Sequence, residues 1–372
     1  MKAREGKVHR FSSTRATVTL LLCLLFVWSV AEGSPAAQGG TVPCLGSSDT
    51  LEELVYCFYD YVPDRYSKDG RDGFDVPTAE EVAQWREVVA QMMNGQCESI
   101  DLNGYDWGGD FTVTTFTDVE ASSTYCILME TRYETYPDPA GPRLTHGWGT
   151  FVYNPLALRE LSIAAPHIKY EAWTDRQAAG IFKRTRSRTL LMNGAHRYAS
   201  DVGSDCQADG KRSDAAHNTQ HMFYATVAEL LEYYDGRGVP FYHLQFHGMG
   251  SSSCPGVDVY LTHGSASPPV AGDKVLELRA NLVQHNPTWI ANGPGENPEC
   301  HLNGTTNVEG RLLNGVPGDQ VCGTEASGYS GHFIHMEQHS DYRRAEDWFA
   351  AINDAWPVTY FPLVIRDVAA AR

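Results

Sequence analysis

His243-Leu244-Gln245-Phe246-His247-Gly248 reads as a short strand that stops on an imidazole followed by a glycine. Three other strand candidates end in the same way. Ser162-Ile163-Ala164-Ala165-Pro166-His167 leads on to Glu171, and Leu190-Leu191-Met192-Asn193-Gly194-Ala195 leads to His196-Arg197. The last is Phe333-Ile334-His335-Met336-Glu337-Gln338-His339. In open α/β sheets ligands bind beyond the carboxyl ends of the strands. Polar, titratable residues at four successive strand ends are therefore expected to converge on one crevice.

Working outward from these runs, the chain from about residue 147 alternates strand and helix, the signature of an α/β sheet. The remaining strand of that series is Gly149–Tyr153. A helix is predicted from Asn218 to Tyr234, with Met222, Phe223, Val227, Leu230 and Leu231 on one face. A second runs from Asp273 to Gln284, and a third, capped by Ser340 or Asp341, carries Trp348, Phe349 and Ile352. Residues 51–146 read as a smaller α+β addition. There Thr78-Ala79-Glu80-Glu81 is a capping box that opens a helix. Phe111–Phe116 and Tyr125–Glu130 alternate like a small antiparallel layer, and Pro137-Asp138-Pro139 through Pro142 reads as a loop. The Gly-, Pro- and Asn-rich stretch from His285 to Gly331 is long enough to be expected as functional, disulfide-pinned, or both.

The first 33 residues read as a signal peptide. Lys2, Arg4, Lys7, Arg10 and Arg15 precede an apolar run from Val18 to Ala31, and Ala31-Glu32-Gly33 offers small residues for cleavage. That run is shorter than the roughly 20 apolar residues a bilayer span needs. Residues 34–50 are expected as a flexible lead-in. Removing a leader of net +3 takes the formal charge from −17 to −20. Such acidity argues against nucleic acid or an anionic membrane as partner. Cys23 goes with the leader, leaving Cys44, Cys57, Cys97, Cys126, Cys206, Cys254, Cys300 and Cys322. An even number in an exported chain predicts four disulfides, their pairing open. No Cys-x-x-Cys pair is present, which disfavours a thiolate zinc site. Asn303-Gly304-Thr305 is a glycosylation sequon, consistent with export.

Zinc catalysis needs imidazole or carboxylate ligands and a coordination position left open for water. His167 and Glu171, close together past one strand, and His247, from a distant one, supply such a set. The ion would acidify its bound water and polarise a carbonyl. Glu337 is then the candidate base, passing the proton to a leaving nitrogen. Arg197 is a candidate for stabilising an oxyanion or holding a substrate carboxylate, with Arg343 and Arg344 as alternatives. Asp214 and His217 form a candidate pair that orients a ligand from behind. His196 is a further candidate in the substrate-binding group.

The order His167 and Glu171, then His247 before Gly248, then Glu337 resembles the zinc carboxypeptidase-like superfamily, including its N-formylglutamate amidohydrolase branch. The resemblance covers residues 147–356 and rests on ordering. It implies a three-layer mixed sheet with residues 147–372 as the metallohydrolase-like domain, one zinc ion, and hydrolysis of an amide bond in a small or peptide-like substrate, here by an exported enzyme. The family spaces its first pair as His-x-x-Glu, whereas this chain has His167-Ile168-Lys169-Tyr170-Glu171, which leaves Asp175 as a substitute for Glu171. Asn193-Gly194-Ala195-His196-Arg197 and Ser213-Asp214-Ala215-Ala216-His217-Asn218 resemble an exported group within that superfamily. The rival readings are a metal-dependent esterase or phosphoesterase and a non-catalytic extracellular binding protein. A serine hydrolase is disfavoured because no Gly-x-Ser-x-Gly elbow occurs.

Overall fold

A computed structural model of the chain describes residues 38–136 and 141–358. The segment 1–33 expected as a leader and the loop expected at Pro137–Pro139 lie outside the described residues. In chain order the strands begin β1 (Gln38–Thr41), β2 (Phe111–Asp118), β3 (Ser123–Glu130), β4 (Arg132–Tyr136), β5 (Gly141–Leu144) and β6 (Thr150–Tyr153). They continue β7 (Arg159–Ala165), β8 (Ser187–Met192), β9 (Tyr242–Gly248), β10 (Val259–Thr262), β11 (Ala291–Asn292) and β12 (Phe333–Gln338). The helices begin α1 (Cys44–Ser47), α2 (Leu51–Tyr61), α3 (Tyr66–Asp69), α4 (Ala79–Met93) and α5 (Thr174–Thr185). They end with α6 (Met222–Asp235), α7 (Lys274–His285), α8 (Val308–Leu313) and α9 (Ala345–Ala355).

Nine strands form one mixed sheet in the order β11-β10-β12-β9-β7-β8-β6-β3-β2. Its middle four, β12, β9, β7 and β8, run parallel to their neighbours within the group. Antiparallel β10 and β6 flank them. These four are the strands whose ends carry the titratable residues, so those ends share one edge of the sheet.

Successive side chains point to opposite faces of a strand. On β9, Leu244 and Phe246 enter a buried cluster with Ile163, Ile334, Met336 and Trp348, the layer built by α5, α7 and α9. The opposite face meets α4 and α6 through Trp85, Phe223, Leu230 and Phe333. The molecule is thus a three-layer α/β fold with a large mixed sheet, as the alternation of strand and helix predicts. On β9 that second face also receives His243, Gln245 and His247, all buried.

Two expectations for the N-terminal region change. Residues 111–118 and 123–130 do not make a layer of their own. They form β2 and β3 and extend the main sheet, because β6 leaves an unpaired edge that β3 takes up in antiparallel register. Residues 38–47 are not a loose lead-in either: β1 pairs with β4, and Cys44 bonds to Cys57 of α2. All eight cysteines of the described residues form disulfides, the others being Cys97–Cys126, Cys206–Cys322 and Cys254–Cys300. Among the described residues no helix is long and apolar enough to cross a membrane.

The loop that leads into β6 is fastened by charge. Glu130 is fully buried and accepts the backbone N–H groups of Gly147 (2.9 Å) and Trp148 (3.2 Å). Burial pushes its carboxyl up to about 7. The imidazole of His146 lies between Asp75 (3.1 Å) and Asp110 (2.9 Å). Burial opposes its charge, but Asp75, Glu130 and Asp110 outweigh that and lift its pKa to about 9. A raised folded-state pKa on a histidine stabilises below its ordinary value and is lost as pH rises through the folded one. Thermal unfolding should therefore show full stability from this group below pH 6.5 and its loss above pH 9. His146→Gln should flatten that part of the profile; an unchanged profile would remove His146 as its source.

Candidate metal centre

Past β7 the chain closes a single helical turn, in which the Glu171 N–H donates to the His167 carbonyl at 2.8 Å. Residues four apart on such a turn face the same way. His167 Nδ1 accordingly lies 2.8 Å from Glu171 Oε1. The other oxygen of Glu171 accepts the Gly248 N–H (2.9 Å) and lies 3.4 Å from His247 Nδ1. Two imidazoles therefore turn Nδ1 toward one carboxylate. Donor atoms of His167, Glu171 and His247 all lie within 4.8 Å of one another, and all three residues are buried.

The centre is shored up from outside. His167 Nε2 lies 2.8 Å from Asp214 Oδ1, and Asp214 Oδ2 pairs with Arg197. Behind His247, Nε2 lies 2.9 Å from Gln245 Oε1. The Arg343 guanidinium crosses the Gly248 backbone, so a side chain there would have to displace that group. Arg343 in turn bonds the carbonyls of Ala172 (3.0 Å) and Gln338 (3.2 Å), tying the two strand ends together.

Glu337 is the register partner of His247 on the neighbouring strand, so their side chains leave the sheet on the same face. His247, His335 and Glu337 form a second set of donors at the same close spacing. All these groups open onto a cavity of about 310 Å³. Part of its wall is the segment from His301 to Asn307, which packs beside His335 and Gln245. That segment lies within the long loop-rich stretch, which disulfides pin at Cys300 and Cys322.

The sequence-derived residues separate clearly. His167, Glu171, His247, Glu337, Arg197 and His217 line the cavity, and Asp214 stands directly behind His167. His217 does not pair with Asp214 through its side chain; its Nδ1 lies 2.7 Å from Gln207 Oε1. His196 is not brought to the cavity lining: its Nδ1 accepts the Tyr198 N–H at 2.9 Å, which shapes the turn after β8. Arg344 is directed away as well, its guanidinium paired with Asp347 in the first turn of α9 (2.8 and 3.0 Å). Asp175 does not substitute for Glu171. It sits in the first turn of α5, one turn beyond the closed His167–Glu171 turn, and burial pushes its carboxyl up to about 6.

Sequence reasoning passed over Gln245, His301 and Asn307, and read His335, flanking Glu337, as solvated or as supporting the site from behind. For Gln245 and His335 the signal was the period of two, which sets each on the same face as His247 or Glu337. His301 and Asn307 carry no such signal, because loop residues reach the cavity only through tertiary packing.

Electrostatics follow from burial and pairing. Burial disfavours a charged His167, but Glu171 and Asp214 outweigh it and lift its pKa to about 9. Burial likewise works against the Glu171 carboxylate, yet His167 and His247 hold it well below the ordinary value. Asp214 is held low against burial by His167, His217 and Arg197. Glu337 goes the other way, raised by burial and by the neighbouring Glu171 charge. Burial lowers His335 and His217, the latter to about 4. Two imidazoles and a carboxylate whose donor atoms approach this closely make up a set that could hold a divalent cation.

No protein-family model matches the chain, and no curated protein matches its sequence. Parts of the fold do superimpose on solved structures. The gene product Atu2144 from Agrobacterium tumefaciens matches at 10% identity over 52% of this chain and 86% of that one, with a TM-score of 0.29. A metallo-carboxypeptidase from Burkholderia cenocepacia matches at 12% identity over 76% of this chain and 69% of that one, with a TM-score of 0.28. At superpositions this loose the likeness carries no argument about chemistry, which has to come from the side chains themselves.

Asp214 offers a direct test of how the centre is held. Removing one partner of a buried ion pair leaves the others uncompensated and costs about 3–5 kcal/mol. Asp214→Ala should destabilise the fold by that order in denaturant unfolding. Asp214→Asn also removes the charge and should cost nearly as much, although it keeps an oxygen facing His167. A much smaller loss in Asp214→Asn would mean that the hydrogen bond, and not the charge on Asp214, is what holds His167 and Arg197.

Proposed function

We propose that the chain is an exported zinc-dependent hydrolase that cleaves an amide bond in a small or peptide-like substrate. The observation that carries this is the close approach of donors from His167, Glu171 and His247 at the floor of a cavity that Glu337 also lines. Two imidazoles and one carboxylate, with open space on the cavity side, make the donor set of a catalytic rather than a structural zinc site. Export is supported by the leader-like first 33 residues and by four disulfides, which persist in oxidising compartments.

When bound, the cation acidifies water and polarises the substrate carbonyl. The chain's own residues do the rest. Glu337, buried on the same face as His247, accepts the proton of the attacking water and returns it to the leaving nitrogen. Arg197 reaches the cavity while paired with Asp214, and its Nε is buried without a hydrogen-bond partner. The guanidinium at the cavity wall, rather than its buried Nε, is what would meet a developing oxyanion or a carboxylate on the substrate. Residues Gly304 to Asn307 also line the cavity and would help enclose the substrate.

Two substitutions separate the roles. His247→Ala should lose both stoichiometric zinc and turnover of amide substrates. Glu337→Gln should keep zinc and fold normally while turnover falls by roughly 10²–10⁴-fold, the usual range for a positioned acid–base group. Full activity in Glu337→Gln would remove the base assignment. Purified protein that neither contains zinc nor takes it up would leave the binding-protein reading in its place.

A further inference from the structure

The side of His247 that faces away from the cavity is held by a chain of hydrogen bonds whose polarity can be read from one end. That end is the backbone N–H of Gly310 in α8, which can only donate. It donates to Asn307 Oδ1 at 2.8 Å, the cap of that short helix. Once Oδ1 is fixed as an acceptor, the other arm of the Asn307 amide must be Nδ2, a donor. Nδ2 donates to Gln245 Oε1 at 2.6 Å. The Gln245 amide is thereby fixed as well, with its oxygen toward Asn307 and His247 and its nitrogen toward Glu309 Oε2 (3.3 Å). A carbonyl oxygen facing an imidazole nitrogen requires that nitrogen to carry the hydrogen. His247 Nε2, 2.9 Å from Gln245 Oε1, therefore carries the hydrogen of the neutral ring, and Nδ1 presents its lone pair toward Glu171 Oε2, 3.4 Å away, the other acceptor that a cation there would bridge.

We infer that Asn307 and Gln245 are positioning residues that set the tautomer of His247, passing the direction of the Gly310 N–H to Nδ1 as a lone pair aimed at the cation site. The inference rests on the reading of His247 as a metal ligand and adds what prepares it. Every member of the relay is buried: Gln245 is 0% exposed, Asn307 2% and His247 3%. No water is needed to carry the polarity, and an amide turned the wrong way would leave buried donors facing each other. The two histidines of the centre are thus treated differently. His167 has a charged acceptor behind it in Asp214, and His247 a neutral one whose orientation is imposed from α8. Because Asn307 also lines the cavity, the same side chain touches the substrate space and orders the ligand. Groups behind a metal ligand fix its tautomer and ring orientation, and their loss typically costs 10–100-fold in metal affinity.

Asn307→Asp is the discriminating change. It keeps an oxygen to cap Gly310 but replaces the donor that faces Gln245 with an acceptor. The Gln245 amide should then turn over and present its NH₂ to His247, moving the ring hydrogen to Nδ1. Ring ¹⁵N shifts of the metal-free full chain, with His247 assigned by its absence in His247→Ala, should show Nε2–H in the wild type and Nδ1–H in Asn307→Asp. Zinc affinity, measured by competition with a chromophoric chelator, should fall by roughly 10–100-fold. Gln245→Glu keeps an acceptor behind Nε2 and should retain both the tautomer and zinc binding within a few-fold. A residue that merely supported the fold would not move the tautomer. If Asn307→Asp, or Gln245→Leu should that variant not fold, binds zinc as the wild type does with the same tautomer, the relay is overturned and the metal site stands. If the tautomer switches but the wild type binds no zinc, the relay holds and the metal reading falls.

Discussion

Glu171 is a carboxylate buried between two imidazoles, and the rest of the site is arranged around the difficulty of keeping it there. An isolated charge in a protein interior is costly unless it is paired and its remaining lone pairs are satisfied. Here one oxygen meets His167 and the other meets the Gly248 N–H and His247. His167 then needs Asp214, and Asp214 needs Arg197. Each buried charge is met by the next until the chain of pairs reaches the cavity wall. The whole arrangement sits on the face of the sheet opposite the cluster that Leu244, Phe246 and Met336 help to fill.

That division of faces explains how a fold can carry so many buried polar groups. Strands β9 and β12 each present apolar residues to the helices α7 and α9 and polar ones to the other side. On the polar side the covering layer is not a long helix but α8 and the loop before it. Their Asn307, Glu309 and Arg311 make specific hydrogen bonds rather than apolar contacts. Disulfides at Cys300 and Cys322 anchor this covering layer to the rest of the chain. Covalent ties and polar bonding thus add to the small apolar cluster of Val308, Val316 and Val321 in ordering the loop.

The parallel group of strands decides which residues can meet. Parallel strands all end at the same edge, so His167, His247 and Glu337 come together although up to 170 residues separate them in the chain. Register adds the finer placement. Glu337 stands beside His247, and His335 beside Gln245, because β12 and β9 pair residue for residue. The arginines show what register does not decide. Arg343 and Arg344 are neighbours in sequence, yet one crosses Gly248 to bond three backbone carbonyls and the other pairs with Asp347 at the surface.

The amino-acid sequence alone was enough for the strand–helix alternation, for four strands ending in titratable residues, and for an even set of cysteines outside a leader-like segment. Those features are local or countable: apolar runs, spacing and composition carry them. It also marked His167, Glu171, His247 and Glu337, since a residue at a parallel strand's end has only one edge to go to. Tertiary structure decided the rest. Whether Glu171 or Asp175 faces His167 depended on where one helical turn closed. Whether Arg197 or Arg344 reached the cavity depended on which carboxylate captured each. The strands at 111–130 joined the main sheet because β6 left an open edge, a fact of pairing that no local pattern records. Gln245 and Asn307 acquired their roles only when a loop more than 50 residues further on was folded over β9.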